Sequence, residues 1–155
     1  MKSYYEHMKL PQPVLPSLQH LALLKGQTAL VTGANSGIGR AIALALGRAG
    51  ANVVVNYVAK PEEAEAVAAE VRAAGAGAMT LRADVSDEAQ VQSMFAAAVQ
   101  AFGTVDVLAS NAGLEKNAPF HEMSVAQWDQ VMNVNLRGAF LCAREAVREF
   151  LKRGV

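Results

Sequence analysis

Apolar residues run almost unbroken through four short stretches, Thr28–Thr32, Asn52–Asn56, Ala78–Ala83 and Val105–Ser110. A strand with one wet face alternates polar and apolar positions, so continuous runs of this length predict strands covered on both faces. Between them the spacing predicts helices over Gly37–Ala49, Pro61–Ala74 and Asp87–Phe102. Pro61 suits a first helical turn, with Glu62 and Glu63 near its positive end, and Ser86 or Asp87 can cap the third helix. Gly50, Gly75 and Gly103 stand where these helices should stop. A last helix starts near Ser124 and runs toward Leu151, with apolar residues on more than one side: Val131, Val134, Phe140, Leu141, Val147, Phe150 and Leu151. One face can cover a sheet and the other needs a partner. The alanines of Ala64 to Ala74 reflect helix propensity, with no repeat behind them.

Strands alternating with helices define an α/β fold with a parallel sheet. Right-handed crossovers place the strands in the order 3-2-1-4 with helices on both faces, which is the N-terminal half of a doubly wound (Rossmann) sheet. Ligands of such sheets bind at the carboxyl edge where the order reverses. Met1 to Leu24, interrupted by Pro11, Pro13 and Pro16, reads as a mobile or surface-packed extension, and residues 25–155 as the domain.

The 155 residues carry 14 Lys and Arg against 14 Asp and Glu. A balanced charge gives no reason to expect nucleic acid or an anionic membrane as partner. No run approaches a membrane span, and Lys2 and Lys9 are not followed by the apolar core of a signal peptide. Cys142 is the single cysteine. It permits no intrachain disulfide, fits a cytoplasmic address, and reads as a small buried hydrophobe. No metal site is expected.

The chemistry concentrates behind the first strand, in Thr32-Gly33-Ala34-Asn35-Ser36-Gly37-Ile38-Gly39. Glycines leave backbone N–H groups uncovered, so a pyrophosphate can approach a helix N-terminus and its positive dipole end. Taken alone, the glycines also fit a tight turn in any α/β protein. Three further stations follow in order: Asp84-Val85 after the third strand, Asn111-Ala112-Gly113 after the fourth, and Asn133-Val134-Asn135-Leu136 in a helical stretch. Together, from about Lys25 onward, they resemble the short-chain dehydrogenase/reductase family with its Thr-Gly-x-x-x-Gly-x-Gly and Asn-Ala-Gly signatures.

The resemblance implies an NAD(P)-dependent oxidoreductase acting on a small alcohol or sugar. It assigns Gly33, Asn35, Ser36, Gly37, Ile38 and Gly39 to the cofactor pyrophosphate, and Asp84 and Val85 to the adenine, with Val85 acting through its backbone. Asn111 would tie strands together, and Ala112 and Gly113 would pass beneath the nicotinamide ribose. The end of the second strand, Asn56-Tyr57-Val58, should read the adenine ribose. No carboxylate there repels a 2′-phosphate, so NADP is admissible and mildly favoured, although Val58 offers no cation and Lys60 lies further on. The family's catalytic set is an Asn, a Ser and a Tyr-x-x-x-Lys, the Tyr serving as general acid/base. Asn135 matches the Asn, but neither Ser nor Tyr follows it before Val155. The Tyr5 to Lys9 match lies ahead of the first strand and reads as coincidence.

These residues are therefore expected to be a C-terminally incomplete, cofactor-binding part of such an enzyme: marginal in stability, prone to aggregate and inactive alone. Its edge strand and apolar faces would meet water. Glu115, His121 to Ser124, Trp128 and Asn135 to Leu141 look like the glucose 1-dehydrogenases of the family, which pass a hydride from the anomeric carbon to NAD(P). In the family the last helix makes the main dimer contact, so the full-length protein is expected to be a homo-oligomer. The alternative is a non-catalytic dinucleotide-binding or interaction module.

Overall fold

A computed structural model describes residues 22–154. The Tyr5–Lys9 match and most of the expected N-terminal extension lie outside the described residues. Four parallel strands form one sheet in the order β3-β2-β1-β4, from β1 (Thr28–Val31), β2 (Asn52–Tyr57), β3 (Ala78–Arg82) and β4 (Val107–Ala109). The central pair is in register from Thr28 opposite Asn52 to Val31 opposite Val55. Every residue of β1 is buried, as its unbroken apolar run requires.

Helices α1 (Gly37–Arg48), α2 (Pro61–Ala73) and α3 (Glu88–Phe102) connect the strands and cover both faces. One core layer packs Val31, Val53 and Val55 against Ala43, Leu44, Val67 and Val71 of α1 and α2. The other packs Leu30 and Val54 against Val91, Met94 and Phe95 of α3 and Leu141, Cys142 and Ala146 of the last helix. Gly47 brings α1 and α2 together: a Cβ there would stand 2.8 Å from Val71 Cγ1.

The expected boundaries hold to within two residues, and two elements differ in their interior or pairing. The strand expected over Val105–Ser110 pairs only across Val107–Ala109. Just ahead of it Asp106 is still tied to β1, its N–H donating to the Thr28 carbonyl and its carboxylate accepting from the Thr28 N–H, each at 2.8 Å. The last helix is one helical rod in three parts: α4 (Val125–Met132), a π-helical turn over Asn133–Gly138, and α5 (Ala139–Lys152). Ser124 caps it with a reciprocal capping box to Gln127, as its position before an apolar stretch foretells. No helix among the described residues is long and apolar enough to cross a membrane.

Candidate cofactor site

Thr32, directly after β1, anchors the first two loops of the site. Its Oγ1 accepts from the N–H groups of Asn111 at 2.9 Å and Ala112 at 3.0 Å, while Asn111 Nδ2 donates to the carbonyls of Thr32 and Gly33 at 2.9 and 3.1 Å. Asn111 therefore stitches β1 to β4 at the carboxyl edge, the tying role the family resemblance implies. Gly33 adopts φ +59, which L side chains avoid, and a Cβ on it would come 3.0 Å from Ala112 Cα. Gly39 lies on the inner side of the first turn of α1, where a Cβ would stand 2.5 Å from Asn111 Nδ2 and collide with the Gly33 carbonyl.

Above this base the loop is open. Gly37 (φ +55) has nothing near its missing Cβ, Ile38 is 75% exposed, and the exposed Ser36 begins α1 without a side-chain cap. No acidic residue occupies the first turn of α1. The N–H groups of that turn are thus free to meet an anion.

Asn56 takes a different part from the one its position suggests. Its side chain is buried, with Oδ1 accepting from the Gly33 N–H at 3.1 Å and Nδ2 donating to the Leu81 and Ala83 carbonyls at 3.2 and 3.0 Å. Its polar atoms are spent on joining β2 to the loop after β1 and to the end of β3, so it shapes the loop, and any ligand there must be met by its neighbours. One such neighbour is Lys60, at φ +60, with Nζ 2.7 Å from Glu63 Oε1. Glu63 Oε2 in turn accepts from Asn35 Nδ2 at 3.2 Å. The hydrogen bond and charge of Lys60 hold the Glu63 carboxyl below its ordinary value, and Glu63 raises Lys60 by the same contact.

Asp84 follows β3, and its Oδ1 accepts from the Ser86 N–H at 2.9 Å and the Ser86 hydroxyl at 2.8 Å. Asn135, in the π turn, grips the loop after Gly113 from both sides, donating to the Leu114 carbonyl and accepting from the Leu114 N–H, each at 2.9 Å.

These loops enclose a cleft of about 790 Å³ lined by Gly33, Asn35, Lys60, Asp84, Val85, Ala112 and Gly113 among others. Of the residues expected at the site, Gly33, Asn35, Asp84, Val85, Ala112 and Gly113 line it directly. Gly39, Asn56, Asn111 and Asn135 support it through the contacts described. One wall escaped the sequence reading: Ala126, Asp129, Gln130 and Asn133 of the last helix also line the cleft. Their spacing of three, four and seven residues places them on one helical face, a periodic signal that could have found them. Lys60, which the sequence places beyond the strand end, also lines the cleft, and is itself left-handed directly before α2.

A parallel sheet with a cleft at the strand-order switch defines a Rossmann-type domain. Residues 27–155 match the model of the short chain dehydrogenase family. A dehydrogenase/reductase from Sinorhizobium meliloti shares 42% identity at TM-score 0.79, over 81% of this chain and 50% of that one. A doubly substituted short-chain dehydrogenase/reductase from Serratia marcescens shares 37% at TM-score 0.79, over 81% and 51%. A short-chain type dehydrogenase/reductase from Mycobacterium marinum shares 32% at TM-score 0.82, over 87% and 54%. The chain belongs to the short-chain dehydrogenase/reductase family, and it spans about half the length of these solved relatives.

Proposed function

We propose that residues 25–155 form the NAD(P)-binding part of an oxidoreductase that moves a hydride between nicotinamide and a small alcohol or sugar. The observation that carries this reading is a cleft that brings Gly33 and Asn35, from the glycine loop leading into the uncapped, acid-free N-terminus of α1, together with Asp84, Val85 and Ala112-Gly113. In this assignment the pyrophosphate lies over Gly33 to Gly39, the adenine beside Asp84 and Val85, and the nicotinamide ribose over Ala112 and Gly113. Lys60 supports a preference for NADP: it is a cation at the cleft wall, next to a strand end without a carboxylate. A glucose 1-dehydrogenase-like substrate remains our proposal from the residues around Glu115, His121 and Trp128. Family members assemble as oligomers, and we assign this protein the same habit.

Proton transfer to or from the substrate oxygen needs a general acid/base near neutral pH. Asn135, engaged through both side-chain atoms, holds Leu114 and supplies no such proton. The Ser and Tyr-x-x-x-Lys expected after it are absent from these residues, so the 155-residue chain is expected to bind cofactor without turning over substrate. A second reading is a dinucleotide-binding module without catalysis. Titration with NADPH and NADH, followed by nicotinamide fluorescence, tests the core of the proposal. Saturable binding, tighter for NADPH, is expected; no binding of either nucleotide overturns it. Restored sugar or alcohol oxidation on adding a segment with the Ser and Tyr–Lys pair would separate the enzyme from the module.

A further inference from the structure

The π turn over Asn133–Gly138 reaches two separate loops of the cleft. Residues two apart on a helix point to nearly opposite sides. Asn135 uses one side to hold Leu114, at the loop that follows Gly113. Arg137 uses the other: its Nη1 donates to the Ser86 carbonyl at 2.6 Å, across to the loop that follows β3. Gly138 permits this approach, since a Cβ there would stand 2.7 Å from Val85 Cγ2. Ser86 is also the residue whose N–H and hydroxyl Asp84 holds.

We infer that Arg137 is a positioning residue for the adenine half of the cleft, fixing the Asp84–Ser86 loop from the turn that carries Asn135. The inference rests on the nucleotide-binding reading above. Without the Arg137 bond, Ser86 keeps its ties to Asp84 but loses the outside anchor on its carbonyl. The loop must then be ordered by the ligand, and ordering costs affinity. The loss falls on ligands that carry adenine, because Leu114 and the Ala112-Gly113 loop are held by Asn135 and Thr32 instead.

The test compares ADP with nicotinamide mononucleotide, each titrated calorimetrically into the 155-residue chain, Arg137→Met and Arg137→Lys. Met keeps the apolar stem and removes the donor, and its ADP dissociation constant should rise about tenfold, as expected for losing a charge-assisted hydrogen bond. Lys retains a donor and should recover most of that loss. Binding of nicotinamide mononucleotide should be unchanged in both. Unchanged ADP affinity, or an equal loss for the two ligands, overturns the inference while leaving the nucleotide site in place. Failure of the unaltered chain to bind either ligand overturns the nucleotide-binding reading itself. Should Arg137→Met fold poorly, amide exchange on the unaltered chain decides. ADP should protect Val85, Ser86 and the π turn together, and absence of protection there refutes the coupling.

Discussion

At the scale of single residues the site depends on side chains that are missing as much as on those present. Gly39→Ala would press a methyl against Asn111 Nδ2 and the Gly33 carbonyl. Because Asn111 holds β1 to β4, we expect a loss of about 1–3 kcal/mol in unfolding free energy and of nucleotide binding, measured by denaturant titration. Lys60→Ala should weaken NADPH about fivefold while leaving NADH unchanged, since an exposed cation already paired with Glu63 contributes only part of a charged hydrogen bond. Equal binding of NADPH by both proteins would remove the argument for NADP. Burial pushes the Cys142 thiol up to about 11. Thiolate is the reactive form, so Cys142 should resist thiol reagents at neutral pH until the chain unfolds. The glycines and Asn111 were legible in the sequence because backbone approach tolerates few residue types. The engagement of Asn56 was not, since its partners come from two segments far from it in sequence, Gly33 after β1 and Leu81 and Ala83 at the end of β3.

At the scale of elements, helix starts were among the best-read features. Pro61 opens α2 and Asp87 caps α3, its carboxylate accepting from the Gln90 N–H at 3.1 Å. The hydrogen bond from the Gln90 side chain, then that from its backbone, holds Asp87 below its ordinary value of 3.8. A carboxyl lowered by folding stabilises the folded state fully above its unfolded pKa, and that contribution is lost as pH falls through the folded one. The melting temperature should therefore decline as pH drops below about 3.8, and Asp87→Asn, which still caps but does not titrate, should flatten that part of the profile. An unchanged profile in Asp87→Asn would show that the cap is not coupled to folding. The π turn was invisible in the sequence: apolar spacing through Asn133–Gly138 continues the helical pattern, and one extra residue per turn is a response to tertiary demands. It places Asn135 at Leu114 and Arg137 at Ser86 in a single turn.

The whole molecule leaves a stripe of α5 uncovered: Phe140, Val147 and Leu151 are 58, 50 and 70% exposed. Their spacing of seven and eleven residues keeps them on one side, opposite the face that buries Leu141, Cys142 and Ala146. Side chains of this size yield roughly 1.5–3 kcal/mol each when taken out of water, so concentration-dependent self-association is expected. Light scattering on the eluting protein should show it, and Val147→Glu with Leu151→Glu should shift the chain toward monomer. A strictly monomeric unaltered chain would rule out this face as a contact between copies.

The order of elements, the strand order 3-2-1-4 and the loops of the site were determined by the sequence alone. Periodicity, caps and glycines are local constraints, and the right-handed crossover rule leaves few ways to connect them. The tertiary structure alone decided which polar atoms remain free for a ligand. Asn56 is consumed by the loop after β1 and the end of β3, Asn135 by Leu114 and Arg137 by Ser86, whereas Lys60, itself left-handed, lines the cleft with part of its donor capacity given to Glu63. Hydrogen-bond capacity is finite, and its allotment depends on neighbours that sequence distance hides.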